Sequence, residues 1–540
     1  MSFLQLPFTP RYILLTLALV LTALLLSDVI FRPGNHPIVF GFLALATIFS
    51  VIGLRDITQT HHSILRNYPI AAHLRFLFEE IRPEMRQYFF EGDRDGTPFS
   101  REQRAIVYQR AKMVLATRPF GTQADVYADN FEWLNHSMAP LPVAHVGFRT
   151  RIGGPLCTRP YDASVFNISA MSFGALSANA IRALSTGAKA GGFAQDTGEG
   201  GLSPYHEAGG GDIVWEVGSG YFGCRNDDGT FSPEKFAEVA GRDQVKMVEL
   251  KLSQGAKPGH GGVLPAAKVS AEISRIRGVP VGKDCISPAR HSVFSTPIEL
   301  LQFIDRIRTL SGGKPAGFKL CIGHPHEFLA ICKAMLATGL APDFIVVDGK
   351  EGGTGAAPQE FIDHLGMPMR DGLNFVHNAL IGVGLRERVH VGAAGKIVTG
   401  FDMARAFALG ADWCNAARGF MFAIGCIQAQ ICHTDRCPVG VTTQDPSRQR
   451  ALVVPDKSVR VANFHKATVQ SLAEVVAAAG LEHPSDFRPQ HVSRRVSPSQ
   501  IRTFAELYPT LAPGELIAGT EDARFKAAWA MARAETFQGT

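Results

Sequence analysis

The chain has 540 residues, of which 46% are hydrophobic and 54 are glycine, and its formal net charge is +5 at pH 7. This length allows one large domain with smaller appendages, and the glycine content suits an α/β body. The net charge is small for the size and the basic residues form no run, so nucleic-acid binding is not indicated. Nine cysteines, an odd number without a secreted framework, argue against disulfides.

Two apolar runs occupy the N-terminus, at about residues 12–31 and 38–54, with a Pro-Gly-Asn turn at 33–35 between them. Each run is near the minimum length for a membrane helix. A signal peptide is the rival interpretation of the first run, but no small-residue cleavage site follows it and a second span does. Two buried core helices are the other alternative. We predict a two-helix transmembrane hairpin over residues 1–55.

The flanking charges predict how this hairpin is oriented. Arg11 precedes the first run, Arg55, Arg66 and Arg75 follow the second, and between the runs lies only Arg32. The positive-inside bias therefore places both ends in the cytoplasm. This predicts a protein with two spans in the inner or cytoplasmic membrane and a catalytic part in the cytoplasm, where free thiols also persist.

The rest of the chain divides into three predicted parts. Residues 56–145 are rich in Arg, Glu and aromatics and predict a helical connecting subdomain, with helices at 68–90 and 100–115. Residues 446–540 predict a C-terminal helical extension. Between them, over 146–445, short apolar runs alternate with amphipathic helical runs.

Eight strand–helix repeats in this central part predict a parallel (β/α)8 TIM barrel. A doubly wound sheet is the alternative, but no G-x-G-x-x-G follows the first strand. The predicted strands are 165–170, 192–196, 213–217, 245–252, 316–321, 344–348, 388–392 and 412–416.

In such a barrel the chemistry lies in the loops after the strands. The seventh strand leads into Gly-Ala-Ala-Gly-Lys at 392–396, and the helix from Thr399 would point its positive end at the same place. Arg418 and Gly419 follow the eighth strand, and barrel phosphate sites are often built after strands seven and eight. This predicts a phosphate site that suits flavin mononucleotide (FMN) better than a dinucleotide; a plain glycine turn is the alternative.

Four charged residues are candidates for flavin and substrate contacts. Lys319, on the fifth strand, could place positive charge near the pyrimidine edge of a flavin, unless it reaches solvent instead. Lys257, set among glycines, and Arg277 are candidate anchors for an acidic substrate. Glu199, also flanked by glycines, could handle a proton or a substrate amine.

Three cysteines, Cys426, Cys432 and Cys437, form a C-x5-C-x4-C run that ends in Cys-Pro. Such a run is typical of iron–sulfur ligands, and three thiolates favour a three-iron cluster. Zinc would need a fourth ligand, and His433, directly beside Cys432, is poorly placed to supply it. Three buried structural cysteines remain an alternative.

Taken together, these segments resemble the synthase part of glutamate synthase over roughly residues 150–445. The motifs that carry the resemblance are Met171–Ser177, Thr197–Gly201, Gln254–Gly259, Leu264–Pro265 with Lys268–Val269, Ile286–Pro288, Gly352–Pro358, Gly410–Asp412 and Cys432–Val441.

The resemblance implies a barrel that holds FMN and a [3Fe-4S] cluster, with the three cysteines as cluster ligands. It also implies that 2-oxoglutarate binds at Glu199, Lys257 and Arg277, that ammonia converts it to 2-iminoglutarate, and that hydride from reduced FMN gives L-glutamate. The expected cofactor-binding residues are Ser172, Lys319, Asp348, Gly353, Thr354, Gly392, Gly395, Lys396, Arg418 and Gly419.

Several departures from the family pattern qualify this expectation. The chain begins Met-Ser-Phe, so we expect no glutaminase of its own, and ammonia would be free or supplied by a separate amidotransferase. We also expect no C-terminal glycine-rich β-helix. No NAD(P)H fingerprint is present, so electrons would come from ferredoxin or a separate reductase. Val263 stands where the family usually has a glutamine near the oxoacid.

Two alternatives follow from these departures. One is a related FMN enzyme for another amine or oxoacid, similar to N-methylglutamate synthase. The other is a non-catalytic electron-transfer subunit.

Overall fold

The computed structural model describes residues 7–32, 34, 37–114, 117–143 and 147–539. It divides into two compact units, Met1–Glu102 and Gln103–Thr540. The predicted subdomain boundary at 145 lies outside the described residues, as do Pro33 and Asn35 of the predicted turn.

Two antiparallel helices, α1 (Ile13–Phe31) and α2 (Pro37–Thr58), form the start of the first unit. Thr22 and Ser50 share a hydrogen bond of 3.0 Å between them. Both helices are long and apolar enough to cross a membrane, and only 6% and 17% of their most apolar segments are buried. This exposure disfavours the alternative of two buried core helices. The unit continues with Ser63–Asn67, α3 (Ala71–Met85) and a π-helical turn, Arg86–Phe90.

The second unit is built on a closed barrel of eight parallel strands, as predicted. The barrel strands are β1 (Phe166–Ile168), β2 (Ala194–Asp196), β3 (Asp212–Val217), β4 (Val245–Lys251), β5 (Ala316–Leu320), β6 (Phe344–Asp348), β7 (His390–Ala394) and β8 (Trp413–Ala416).

The predicted bounds of the seventh strand, 388–392, are wrong by two residues. β7 runs on to Ala394, which pairs with Asp348 of β6 and Asn415 of β8. Gly392 therefore lies in the middle of the strand, where the Trp413 ring fills the space a side chain would take.

Helices surround the barrel on its outer side. Those that pack around the strands include α4 (Ala178–Gly191), α5 (Gly400–Ala408) and α6 (Val454–Ala478), with Pro233–Ala240, Pro297–Leu310, Pro325–Thr338 and Met369–Gly382 between α4 and α5. Shorter helices are Pro204–Ala208, Ala271–Arg277, Gln359–His364, Arg418–Ala423, Pro446–Gln449, Phe504–Leu507, Glu515–Ala518 and Lys526–Met531.

Apolar side chains pack together in part of the barrel interior. An antiparallel hairpin, Arg149–Ile152 with Tyr161–Ser164, precedes β1. Its Ile152 and Tyr161 join a buried core with side chains from the strands, which removes this end of the barrel from water. The other members of this core are Ala163, Ala194, Met247, Phe344, Val346, Ala394 and Trp413.

The C-terminal part is not purely helical as predicted. Strands Val492–Ser497 and Gln500–Thr503 form a hairpin that pairs with Glu132–Leu134. Residue Glu132 there accepts hydrogen bonds from three arginines, which ties the two chain segments together. These arginines are Arg370, Arg405 and Arg494.

Candidate functional site

The loops after β4 and β6 meet at the carboxyl end of the barrel. Gly255 donates its N–H to Asp348 Oδ2 at 2.8 Å, and a side chain on Gly255 would collide with the Gly349 carbonyl. Asp348 thus fixes one loop against the other. Its carboxylate is a support of the site as well as a candidate cofactor contact.

Three residues predicted to bind substrate, Glu199, Lys257 and Arg277, lie together beside these loops. All three are largely buried. Burial raises the pKa of Glu199, but Lys251, Lys257 and Arg277 outweigh it and hold that pKa below its usual value. The result is a carboxylate set among three cations.

Lys251 is a member of this group that the sequence analysis missed. It ends β4, and its Nζ lies 2.9 Å from Glu199 Oε1 and 2.6 Å from Gln254 Oε1. The alternation Met247, Glu249, Lys251 along a strand was the available signal, because alternate residues share a face. An inward lysine at a strand end points to the mouth of a barrel.

Arg277 connects this group to the loop after β1. Its Nη2 donates to Phe173 O at 3.0 Å and to Ser172 Oγ at 3.3 Å, and the guanidinium lies 5.3 Å from the Phe222 ring centre. A Cβ on Gly200 would come within 2.8 Å of Arg277 Nη2. Glycine is needed there to let the guanidinium approach the loop that carries Glu199.

Val263, the departure from the family pattern, lies next to the same group. It pairs with Ile286 in a short antiparallel ladder. A side chain on the preceding residue, Gly262, would collide with the Glu199 carboxylate. Val263 follows this contact in the chain and carries no hydrogen-bonding side chain, whereas a glutamine at this position would.

The predicted phosphate loop begins at Gly395 and brings two cations together. Lys396 has a left-handed backbone with φ of 52°. Burial lowers its pKa, the charge of Arg418 lowers it further, and Glu351 opposes both. Burial also lowers the pKa of Arg418 to about 10. Asp348 and Glu351 act on Arg418 in the opposite direction. The two neighbouring cations offer hydrogen-bond donors that suit a phosphate.

Gly353 and Arg418 belong to the same part of the predicted phosphate site. Arg418 donates to the Glu351 carbonyl, and a Cβ on Gly353 would come within 3.0 Å of the guanidinium. Gly419 follows in the helix Arg418–Ala423, and a Cβ there would lie 3.4 Å from the Ile397 carbonyl. These residues connect the loops after β6, β7 and β8. Thr354 is exposed beside them.

Lys319 points into the barrel, but its ammonium is already engaged by carboxylates. It forms ion pairs with Glu216 and, at 3.1 Å, with Glu249, and Asp196 lies at 4.0 Å. All four side chains are buried. The surrounding acids offset the positive charge that the sequence analysis assigned to this lysine. The sequence did not indicate these three acids as partners of Lys319, because only the closed barrel brings their strands together.

These three acids are the one group among the described residues whose potential metal-ligand atoms lie within 4.8 Å of one another. The Lys319 ammonium already occupies the centre of that group. The pKa of Glu249 is raised to about 7. Burial is the main cause and Glu216 adds to it, while Lys319 acts in the opposite direction. Close to neutral pH the Glu249 carboxyl therefore keeps part of its proton.

The three cysteines follow β8 in the loop between the helix Arg418–Ala423 and α6. Burial raises the pKa of Cys426 to about 12, and the negative charges of Cys432 and Cys437 add to this increase. Burial also raises the pKa of Cys437, but the N–H groups of Thr442, Val439 and Val441 outweigh it and lower that pKa. Cysteines close enough to interact electrostatically suit an iron–sulfur cluster, whose ligands are Cys thiolates.

A buried lysine that the sequence analysis did not single out lies close to these thiols. Lys268 Nζ donates to Thr442 O at 2.7 Å and to Ala175 O at 3.2 Å. Burial lowers its pKa, while Asp435, Cys432 and Cys437 raise it. It supplies positive charge close to Cys432 and Cys437.

The cysteine loop lies against the loop after β6. A Cβ on Gly355 would be 3.7 Å from Cys432 Cβ, one residue beyond the predicted cofactor residues Gly353 and Thr354. Gln428 and Gln430 have left-handed backbones, with φ of 59° and 58°. The loop thus folds tightly at the rim of the predicted flavin site.

Comparison with known proteins identifies the family of the chain. The conserved region in glutamate synthase matches residues 161–482. The glutamate synthase large subunit-like protein YerD of Bacillus subtilis is 40% identical over 498 residues, covering 85% of this chain and 94% of YerD.

Two other relatives match over a smaller share of their own length. The archaeal glutamate synthase (NADPH) of Methanocaldococcus jannaschii is 36% identical, covering 59% of this chain and 60% of that protein. The chloroplastic ferredoxin-dependent glutamate synthase of Oryza sativa subsp. japonica is 32% identical, covering 72% of this chain and 23% of that protein. The predicted resemblance is confirmed: the chain is an oxidoreductase that belongs to the glutamate synthase family.

Proposed function

We propose that this protein is a membrane-anchored flavin and iron–sulfur enzyme that reductively aminates 2-oxoglutarate to L-glutamate. The main support for this proposal is the buried group of Glu199 with Lys251, Lys257 and Arg277, which lies beside Ser172 at the mouth of the barrel. Three cations around one carboxylate leave net positive charge for a dicarboxylate substrate.

The residues of this group have distinct roles in the proposed reaction. Arg277 and Lys257 bind the substrate carboxylates and hold the 2-oxo carbon in place. Ammonia forms a C–N bond at that carbon and water leaves, which gives 2-iminoglutarate. Glu199, kept ionised by its cationic neighbours, accepts a hydrogen bond from the incoming ammonia and holds it next to that carbon.

Two cofactors complete the proposal. Gly395, Lys396 and Arg418 would hold the FMN phosphate, and bound FMN would supply the hydride that reduces the imine. Cys426, Cys432 and Cys437 would hold a [3Fe-4S] cluster that delivers electrons one at a time. The contact between Gly355 and Cys432 supports this path because it brings the cysteine loop to the flavin loop.

The electron donor is proposed to be ferredoxin or a separate reductase, and the nitrogen source free ammonia or a separate amidotransferase. α1 and α2 would anchor the chain in the cytoplasmic membrane, with the barrel in the cytoplasm. The proposal keeps the domain boundaries predicted from the sequence, at residues 55, 145 and 445.

The direct test uses the full chain purified in detergent. The protein should contain FMN and, after oxidation, show the electron paramagnetic resonance signal of a three-iron cluster. Reduction with dithionite followed by 2-oxoglutarate and ammonium should reoxidise the flavin and form glutamate. Cys432→Ser should lose the cluster signal, while Cys332→Ser, a buried cysteine in the helix Pro325–Thr338, should retain it.

Val263 favours one second candidate, an enzyme for another amine. If methylamine replaces ammonium as the better substrate, the enzyme resembles an N-methylglutamate synthase. Reoxidation by neither amine would leave an electron-transfer subunit. A purified protein without FMN would reject all three functions.

A further inference from the structure

The helix α3 exposes an apolar face on the first unit. Five side chains at spacings of 0, 3, 4, 7 and 11 residues form this face, so they share one side of the helix. Their exposed fractions are 56% for Leu74, 50% for Leu77, 57% for Phe78, 39% for Ile81 and 38% for Met85. We call these five residues the outer face.

The outer face points away from the protein's own packing. Ala72, on the opposite side of the helix, is 4% exposed, and Phe76 lies edge-on to His62, with ring centres 5.8 Å apart. A helix on a water-soluble domain normally buries its apolar side and exposes its polar side. Here the packed side is small and the larger apolar side is open.

Charged residues flank the outer face. Arg75, Arg82 and Arg86 share one flank with Glu79, which pairs with Arg75 at 2.9 Å, and Arg86 lies 3.6 Å from Glu91. The exposed acids Glu80 and Glu84 lie on the other flank. Tyr88, Phe89 and Phe90 follow in the π-helical turn and are also exposed. An apolar strip with arginines along its edge and aromatic rings at its end has the composition of a helix that lies in a membrane interface.

The start of α3 is fixed to the end of the second candidate span. Asp56, in the last turn of α2, is 2% exposed. It accepts a hydrogen bond from Ile70 N–H at 2.9 Å and lies 3.0 Å from His73 Nε2. If α2 crosses the bilayer, Asp56 is where it leaves the hydrocarbon, and these bonds hold α3 at that depth.

We propose that α3 lies along the cytoplasmic surface of the bilayer, with the outer face among the acyl chains and its charged flanks at the level of the phospholipid headgroups. This inference rests on the proposed membrane anchoring by α1 and α2 and adds a third membrane contact. The partner is a lipid surface because the open face continues from two apolar helices and has arginines at its edge.

The test places a tryptophan on each side of α3 in the full chain. Phe78→Trp reports on the outer face, and Glu79→Trp, the next residue, reports on the charged flank. Each variant is reconstituted into vesicles of phosphatidylcholine and phosphatidylglycerol, with or without bromine on the acyl chains. The wild type supplies the background of the four native tryptophans, all of which belong to the second unit.

We expect Phe78→Trp to add blue-shifted emission that brominated lipid quenches strongly, and Glu79→Trp to add emission that it quenches little. Equal, weak quenching at both positions in protein that resists alkaline carbonate extraction would overturn the inference and leave the anchoring intact. Release by carbonate would overturn both. Blue-shifted emission at position 78 that brominated lipid leaves unchanged would show that protein, from the same chain or a second copy, covers the outer face, and would reject the lipid contact.

Discussion

At the scale of single residues, the site depends on a few buried charges whose balance is set by their neighbours. Lys257 shows this most clearly. Burial lowers its pKa to about 8, Glu199 opposes this effect, and Lys251 adds to it. Because the ammonium titrates close to physiological pH, its capacity to bind an anionic substrate depends on pH.

We expect Lys257→Met to raise KM for 2-oxoglutarate by roughly 30-fold or more, with a smaller change in kcat, because losing one partner of a buried charge pair costs about 2 kcal/mol or more. In the wild type, KM should rise as the pH passes about 8 and the ammonium loses its proton. Steady-state kinetics from pH 6.5 to about 9.5 measure both effects. Lys283→Met, at an exposed position, is the control; a KM unchanged by Lys257→Met would exclude this lysine from substrate binding.

The buried acids around Lys319 lead to a separate prediction, about how the stability of the fold depends on pH. Burial raises the pKa of Glu249 from 4.5 to about 7, so the folded state binds this proton more tightly than the unfolded state. Between these two values unfolding releases a proton, and stability falls as the pH rises. The effect is at most a few kcal/mol, about 1.4 for each pKa unit.

Glu249→Gln should remove most of this fall, since glutamine carries no titrating proton and can still accept a hydrogen bond from Lys319. Thermal denaturation between about pH 5 and pH 8 compares the variant with the wild type. Glu238→Gln, at an exposed position, should keep the wild-type slope. Parallel curves for wild type and Glu249→Gln would show that this carboxyl does not hold the proton.

At the scale of elements, α6 closes the helical shell of the barrel. The cysteine loop separates β8 from α6, which packs against both α4 and α5. Gly187 of α4 faces Val461 Cβ and Ser458 O of α6, which would lie 2.5 and 2.7 Å from an added Cβ. Gly400 of α5 approaches the backbone of Leu472 in the same way. The predicted extension thus begins with a helix that the barrel needs.

Gly187→Val should destabilise the second unit by roughly 1–3 kcal/mol, because the added carbons collide with the Val461 side chain and the Ser458 carbonyl of α6. Ala190→Val, at an exposed position on α4, controls for the lower helix propensity of valine. Urea denaturation followed by circular dichroism measures the difference. Equal midpoints for the two variants would show that the helices separate at little cost.

Elements with a strong local signal could be predicted from the sequence, and those formed by distant contacts could not. β6 was predicted with its observed bounds, since Phe344–Asp348 is a short apolar run that ends in an acid. β7 was misplaced because Gly392, Ala393 and Ala394 have low strand propensity and are held by their parallel neighbours. The Val492–Ser497 hairpin forms against Glu132–Leu134, far away in the sequence.

The same distinction applies to the candidate site. Glu199, Lys257 and Arg277 could be identified because each lies in a glycine-rich or family-like segment. Lys268 could not, since an isolated lysine carries no signal until the fold brings it close to a thiol. Lys251 had a signal only in its alternation with Met247 and Glu249, and its contact with Glu199 depends on the fold. The engagement of Lys319 by three acids likewise depends on the closed barrel.

At the scale of the whole molecule, the chain joins a barrel with a candidate redox site to two helices able to cross a membrane. Anchoring a redox enzyme raises its effective concentration near a membrane-bound electron donor without changing the chemistry at its site. The two functions are therefore separable. Removal of α1 and α2 should affect delivery of electrons and spare the reaction itself.

Deletion of residues 1–58 should preserve glutamate formation driven by dithionite and abolish the formation driven by native membranes. Both assays use the same detergent-purified protein, with the full chain as reference and flavin content measured in each. Replacing α1 and α2 by an unrelated two-span hairpin is the matched control: restored membrane-driven turnover would show that proximity alone is required. Full activity of the deletion variant in both assays would reject a role for the membrane in electron supply.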